Sequence, residues 1–154
     1  MKPIECASDI EAWEEGTALY ELWNAKRHDL GYPSWADFSI ADLTSILPHM
    51  LYIELGHQDG EEAEEAYVRF IGSGISAVMS SDTTGQRVLD GAAGQHYSDR
   101  FKMAIRLGLA YSVAGRAAAF AGKNYRHYDA VVLPLSRNRD SICSAIMALI
   151  RWVK

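Results

Sequence analysis

Residues 1–30 carry the pattern of one amphipathic helix. From Ser8 to His28, apolar side chains recur every three or four positions, as they do on one face of a helix. The apolar stripe consists of Ile10, Trp13, Thr17, Leu19, Tyr20, Leu22 and Trp23. Ser8 and Glu11 have the spacing of a capping box at the start of this helix. We expect the helix to pack on the rest of the chain or on a dimer partner.

A second, short helix and two strands are predicted next. Ser39 and Asp42 have capping-box spacing, and Pro48 ends the short helix that begins there. From His49 to His57, Leu51, Ile53 and Leu55 alternate with Met50, Tyr52 and Glu54, which is the period of a strand with two different faces. Tyr67 to Ile71 is rich in aromatic and β-branched residues and predicts a second strand. The segment that joins the two strands is short enough for an antiparallel pair.

The pattern changes twice in the second half of the chain. Residues 72–109 predict short helical pieces between glycines, followed by a clearer helix from Gln95 to Leu107. The apolar face of that helix holds Tyr97, Phe101, Ala104 and Ile105. Three strand-like runs follow, Ala110 to Phe120, Tyr125 to Leu135 and Ser141 to Val153. The segments that join them carry turn residues, so the three strands form a meander.

These elements predict an α+β domain over residues 31–154, preceded by the N-terminal helix. Two antiparallel groups of strands that flank a helical block can share one five-stranded sheet. The helical block then lies across one face of that sheet and encloses space above it. No internal repeat or linker divides the chain.

Composition and charge narrow the classes of partner. The chain has 154 residues, and 15 Lys and Arg stand against 20 Asp and Glu, for a formal charge of −5. This charge disfavours nucleic acid as a partner, because no excess positive field would attract a phosphate backbone. The two cysteines, Cys6 and Cys143, fit a reducing cytoplasm. The N-terminus lacks the apolar core of an export signal, and the apolar run from Ile142 to Ile150 is too short to span a membrane.

A glycine motif follows the second predicted strand. The residues from Gly72 to Ala77 match the Gly-x-Gly-x-x-Gly/Ala fingerprint of dinucleotide sites. That site needs a long helix and parallel strands, whereas this helix is interrupted at Gly85 and the later strands are joined as hairpins. The glycines are therefore interpreted as a sharp turn from a strand into a short helix.

The histidines and cysteines indicate neither a metal site nor a nucleophile. None of the five histidines has the i, i+4 partner of a helical metal pair, and no Cys-x-x-Cys occurs. His96 opens the helix that would line the cavity, where it would contact a ligand or, more simply, lie partly in solvent. Cys143 lies in an apolar run and is expected to be an inert hydrophobe.

Arg69 lies in the middle of the second predicted strand and has two interpretations. Facing the cavity, it would clamp a ligand carboxylate, and facing outward it would pair with an acidic neighbour, which we favour slightly. The acidic run from Glu61 to Glu65 is expected to be a solvated face. The stripe of Trp13, Tyr20 and Trp23 has the pattern of core, and equally that of a dimer face.

A series of short motifs resembles the PAS-like domains that are common as small stand-alone proteins in alphaproteobacteria. The motifs are Leu22-Trp23 with Lys26-Arg27, Pro33-Ser34-Trp35-Ala36-Asp37-Phe38, Leu47-Pro48-His49, the run from Tyr67 to Ser73, Thr84-Gly85-Gln86 and Leu133-Pro134-Leu135-Ser136. Their order covers nearly the whole chain. The resemblance implies a five-stranded antiparallel sheet with helices across one face, and a sensory or regulatory role. It implies no particular cofactor, so the cofactor is unknown.

The first functional hypothesis is a non-catalytic PAS-type module for sensing and signal transduction. Its pocket is predicted to be lined by Arg69, His96, Tyr97, Phe101, Tyr111, Tyr128 and Met147. The partners expected are a small-molecule ligand, a second copy of the chain and a signalling protein. No output domain is seen in the sequence, so a signal would pass through a partner or through dimerisation.

Two other hypotheses remain open. One is a small cavity enzyme in which His96 and Asp99 act as general acid and base on an apolar substrate. The other is a pure association module, whose pocket is filled by its own side chains and whose interface is Trp13, Tyr20 and Trp23. The direction of the His96 and Asp99 side chains separates the enzyme from the sensory module.

Overall fold

A computed structural model describes residues 1–27, 31–56, 64–79, 84–85, 97–118 and 123–153, and all structural statements concern these ranges. The strands are β1 (Lys2–Pro3), β2 (Met50–Gly56), β3 (Glu65–Ile71), β4 (Tyr111–Ala118), β5 (Lys123–Leu135) and β6 (Ala145–Val153). The α-helices are α1 (Glu14–Lys26), α2 (Ile40–Leu43), α3 (Ser73–Met79) and α4 (Tyr97–Leu107). The predicted α+β class is confirmed.

All six strands form one antiparallel sheet in the order β1-β4-β5-β6-β2-β3. The β2–β3 hairpin and the β4–β5–β6 meander share this sheet through the β2–β6 pair, as the sequence predicts. The predicted number of five strands was wrong, because Lys2 and Pro3 pair with Ser112 and Tyr111 at the edge of β4. A strand of two residues has no periodicity that a sequence pattern can reveal.

The N-terminal helix begins later than the stripe suggests. α1 starts at Glu14, and Ala12 before it has a φ of 48°, in the left-handed region that an alanine rarely adopts. The capping box predicted at Ser8 was wrong, because Ser8 lies inside a short 3₁₀ turn, Ala7–Asp9, and the helix begins only at Glu14. In that turn the carboxylate of Asp9 accepts the backbone N–H groups of Glu5 and Cys6. The second predicted box is confirmed: Ser39 and Asp42 bond each other's backbone N–H groups at 3.2 and 3.1 Å.

The sheet has a core on each face. On the α1 face, α1 and the segment around α2 cover side chains that include Met50, Val131, Leu133, Met147 and Leu149. On the α4 face, α3 and α4 cover side chains that include Ile53, Val68, Val132, Ile146 and Ala148. Because side chains alternate along a strand, the odd-numbered residues of β5 and β6 in these cores face α1 and the even-numbered ones face α4.

The glycine motif serves packing between backbone segments. A Cβ at Gly72 would lie 2.3 Å from the Pro48 carbonyl oxygen, and one at Gly74 would lie 2.6 Å from the His49 ring. Only glycine therefore lets β3 turn into α3 so close to residues 47–49. The described strands pair only as antiparallel neighbours, so the structure supports the interpretation of the motif as a turn.

No helix in the described ranges is long and apolar enough to cross a membrane.

Candidate ligand-binding site

Three of the residues predicted to line a pocket lie together on the α4 face. Phe101 of α4, Tyr111 at the start of β4 and Tyr128 in β5 are half-buried and pack against the core of that face. Trp152 of β6, which the sequence analysis did not select, packs beside them. All four side chains border the same core on the α4 face, and we call them the aromatic wall.

Strand register positions the wall. Tyr128 lies opposite Trp152 in the β5–β6 pair, and the two ring centroids are 6.3 Å apart at an angle of 75°. This edge-to-face arrangement is favourable for aromatic rings. The indole Nε1 of Trp152 donates a hydrogen bond of 3.2 Å to the carbonyl oxygen of Gly74. The wall is thereby tied to α3.

Arg126 adds a charged group at the same place. It lies two residues before Tyr128, and its Cζ atom is 5.3 Å from the Trp152 ring centroid. Its Nε atom is buried and has no hydrogen-bond acceptor within the described part of the chain. A buried donor without an acceptor costs about 1–3 kcal/mol, so an acceptor brought by a ligand would be favourable there.

Tyr111 is held in its protonated form. Burial raises the pKa of Tyr111 to about 12, with a further contribution from neighbouring Tyr128 and an opposing one from Arg116. At neutral pH its hydroxyl can donate a hydrogen bond but cannot act as a general base. We name Phe101, Tyr111, Arg126, Tyr128 and Trp152 the aromatic site. Its chemistry suits a planar or apolar ligand that carries a hydrogen-bond acceptor.

The structure does not bring the other predicted pocket residues to this site. Met147 is fully buried in the core of the opposite, α1 face. Because side chains alternate along β6, Met147 lies on the opposite face of the sheet from Trp152. Arg69 pairs with Glu54 at 2.8 Å, which is the outward interpretation that the sequence analysis favoured. His96 and the side chains of Tyr97 and Asp99 lie outside the described residues.

The predicted interface residues are core residues of this chain. Trp13, Tyr20 and Trp23 are all buried on the α1 face, and Trp23 is only 3% exposed. The Trp23 indole Nε1 donates to the Pro134 carbonyl oxygen at 2.8 Å. Since their rings already pack in the core of this chain, they offer a partner almost no apolar surface. Of the two interpretations of the stripe, core and dimer face, the burial of these side chains therefore supports core.

The outer side of α4 carries an open depression. It has a volume of about 540 Å³ and is lined by Lys102, Met103, Arg106 and Leu107. None of the predicted pocket residues whose side chains are described lines it.

Beside this depression, Lys102 pairs with Glu65 at 3.3 Å and Arg106 pairs with Glu64 at 3.5 Å. The last two residues of the acidic run therefore tie β3 to α4, which corrects the expectation of a purely solvated face.

The described residues include no group of three His, Cys, Asp or Glu side chains that could hold a metal ion. Cys6 is exposed and Cys143 is half-buried, and neither forms a disulfide. Burial raises the pKa of the Cys143 thiol to about 11, so it stays protonated at neutral pH, as expected for an unreactive cysteine.

Sequence reasoning missed Arg126 and Trp152. Both share the two-residue period of Tyr128 and Ile150, so alternation within each strand carries a signal for them. The signal is incomplete without the register that sets Tyr128 opposite Trp152.

Comparison of the chain with protein-family models, with curated proteins and with solved structures finds no match in any of the three.

Proposed function

We propose that this protein is a non-catalytic sensory or regulatory module of PAS type that binds a small molecule at the aromatic site. One observation carries the proposal: the buried Arg126 Nε lacks an acceptor beside the aromatic wall, within the described residues. Buried polar groups are normally hydrogen-bonded, so an exception on an aromatic wall favours a ligand acceptor at this position. The PAS assignment itself rests on the order of the sequence motifs.

The arrangement of strands and helices adds support of a general kind. A hairpin, a helical block and a three-stranded meander share one antiparallel sheet, an order of elements that agrees with the PAS-like resemblance, although the sheet has six strands rather than five. α3 and α4 cover the face that carries the aromatic site. A ligand between them and the sheet would contact both layers.

Binding at the aromatic site would reach α3 through Trp152. The Trp152 indole already donates to Gly74 at the start of α3, and Gly74 packs on the His49 ring. A ligand that contacts Arg126 and Trp152 would change the strength of this contact and so bias the position of α3. The output would pass to a separate effector or through dimerisation.

The hypothesis of a cavity enzyme has no observation in its favour among the described residues. Tyr111 at the aromatic site stays protonated, and the base and acid predicted for catalysis, His96 and Asp99, have no described side chains. The enzyme therefore stays a prediction from the sequence.

Native mass spectrometry of freshly purified protein tests the proposal. We expect a mass increment that disappears on denaturation, with the released compound seen in the absorption spectrum or the denatured-sample mass spectrum. Arg126→Gln and Tyr111→Phe should each lower the occupied fraction. Arg106→Gln is the matched control, because it removes an exposed arginine on the outer side of α4.

Two results would contradict the proposal. One is an apo mass for the wild type together with no thermal stabilisation by any member of a library of aromatic acids and heteroaromatic compounds. The other is a ligand whose occupancy is unchanged in both the Arg126→Gln and Tyr111→Phe variants.

A further inference from the structure

A second polar cluster lies on the opposite side of the sheet from the aromatic site, where the hairpin of β2 and β3 meets the turn before β6. Arg69 Nε donates to Glu54 Oε1 at 2.8 Å, and the Tyr52 hydroxyl donates to Glu54 Oε2 at 2.7 Å. Arg137 Nε lies 3.6 Å from the same Oε2. We name these four residues together with Tyr67 the Glu54 cluster.

Local backbone features place the two arginines. The β2–β3 register shifts at Tyr52, which pairs with Phe70 while Ile53 pairs with Val68, so Arg69 is the extra residue of a bulge. Bulges often re-aim a side chain in this way. Its guanidinium lies 5.0 Å from the Tyr67 ring centroid. Arg69 is therefore positioned by the fold as well as by its ion pair.

Arg137 is held by backbone groups. Its own backbone N–H donates to Ser144 Oγ at 2.8 Å, and its Nη1 donates to the Leu55 carbonyl oxygen at 3.1 Å. On the other side, the Trp35 ring stacks on Tyr52 with centroids 4.7 Å apart and planes 3° apart. The cluster is thus preorganised before any ligand arrives.

The guanidinium groups converge beside Gly56. The position that a Cβ would take at Gly56 lies 3.8 Å from Arg69 Nη2, from Arg137 Nη1 and from Tyr67 Cδ2. The arginine side chains are 39% and 48% exposed, so their outer N–H groups are reachable from solvent. Two N–H donors that approach one point have the geometry with which arginines bind an oxyanion.

Charge and unsatisfied hydrogen bonds both favour an anion here. Two guanidinium groups share the single carboxylate of Glu54, which leaves a local excess of one positive charge in a chain with a net charge of −5. Tyr67 is 2% exposed, and its hydroxyl has no hydrogen-bond partner in the ranges that the structure describes. A bound anion would reduce the repulsion between the guanidinium groups.

We propose that Arg69 and Arg137 form a binding site for an oxyanion group, a carboxylate or a phosphate, at the position beside Gly56. Glu54 and Tyr52 position the two guanidinium groups. The site is distinct from the aromatic site, because the sheet separates them. It does not depend on the proposed sensory function.

Isothermal titration calorimetry of the full chain at low ionic strength tests the site, with inorganic phosphate and sodium acetate as separate probes. We expect saturable binding of one anion per chain with at least one probe. Arg69→Gln and Arg137→Gln should each weaken binding at least about tenfold, which is typical for loss of a charge-assisted hydrogen bond. The preferred probe assigns the class of anion.

Gly56→Ala tests the position without changing any charge. Its Cβ would make ordinary van der Waals contacts with the three atoms at 3.8 Å, so the fold should persist while the anion is displaced. We expect a loss of affinity similar to that of Arg69→Gln. This variant decides the question if an arginine variant fails to fold.

Arg151→Gln is the matched control. Arg151 has the same 39% exposure as Arg69 and is likewise paired with one carboxylate, that of Asp129 at 2.6 Å. We expect its affinity for the probe to stay within about twofold of the wild type, because Arg151 binds Asp129 and the Ala12 carbonyl oxygen rather than a group of the Glu54 cluster. Equal weakening in Arg151→Gln and Arg69→Gln would overturn the site, as would the absence of saturation with both probes.

Discussion

The two faces of the sheet are built from similar residue types but are packed in different ways. On the α1 face, Trp13, Tyr20 and Trp23 are buried, and the Trp23 indole has its hydrogen-bond acceptor. On the α4 face, the aromatic side chains are only half-buried, and the buried Arg126 Nε lacks an acceptor among the described residues. The packing around Trp23 is complete and stabilises the fold. The buried polar atoms without partners among the described residues lie elsewhere, at Arg126 on the α4 face and at Tyr67 in the Glu54 cluster, and such atoms mark where a ligand gains most.

The largest effect should come from truncating the core around Trp23 on the α1 face. Trp23→Ala should lower the free energy of unfolding by about 3–5 kcal/mol, because it leaves a large cavity and removes the hydrogen bond to Pro134. Trp152→Ala on the α4 face should cost less than half as much, since Trp152 is only half-buried. Urea denaturation followed by circular dichroism measures both. Equal losses would contradict the difference between the faces.

The next effect concerns the turn from β3 into α3. Gly72→Ala should destabilise the protein by about 3 kcal/mol, because its Cβ would clash with backbone at Pro48. Gly74→Ala should cost clearly less, since the atoms that it meets most closely belong to the His49 side chain, which can move. The same denaturation experiment compares the two. A larger cost for Gly74→Ala would show that side chains, rather than backbone, set the spacing.

A smaller effect should appear at high pH on the α4 face. The pKa of Tyr111 is raised from 10.0 to about 12 in the folded protein, so the unfolded chain loses this proton first as the pH rises. The stabilisation is full below pH 10, and about 2 kcal/mol of it is lost between pH 10 and 12. Tyr111→Phe should flatten the pH dependence of the unfolding free energy in that window. An unchanged dependence would contradict the burial of this hydroxyl.

The last prediction concerns the rates at which the two thiols react, and it involves no change in the stability of the fold. Cys6 is exposed, whereas burial raises the pKa of Cys143 to about 11. At pH 8, a disulfide reagent should label Cys143 at least about 100-fold more slowly than Cys6, because so little of Cys143 is thiolate. Cys6→Ser and Cys143→Ser assign the two phases. Fast labelling in Cys6→Ser would contradict the burial of Cys143.

Much of the fold follows from local patterns. Alternation and turn residues predicted the strand from His49 to His57, the meander and the helix that contains Phe101. The capping box at Ser39 was confirmed, because its hydrogen bonds are local. The box at Ser8 failed because Ser8 lies in a 3₁₀ turn and the helix begins only at Glu14, which spacing alone does not show.

The candidate site was predicted only in part. Tyr111 and Tyr128 pack against the same core on the α4 face, whereas Met147 lies in the core of the α1 face, because a strand residue changes face with every step along the chain. Arg126 and Trp152 join the site through the register between β5 and β6. The Glu54 cluster needs a bulge that sets Arg69 out of register and a distant turn that supplies Arg137.

The sequence by itself determined the period of each element, because periodicity depends on neighbours within a few residues. It also determined the order of the elements and the overall charge, which follow from the chain's order and composition. Only the tertiary structure decided which face each aromatic residue joins, where the arginines converge and which buried polar groups lack partners. Those properties depend on strand register and on contacts between residues far apart in the chain, such as Trp23 with Pro134 and Arg137 with Leu55. Local sequence patterns therefore do not reveal which distant residues will be in contact, because those contacts depend on the register of the strands.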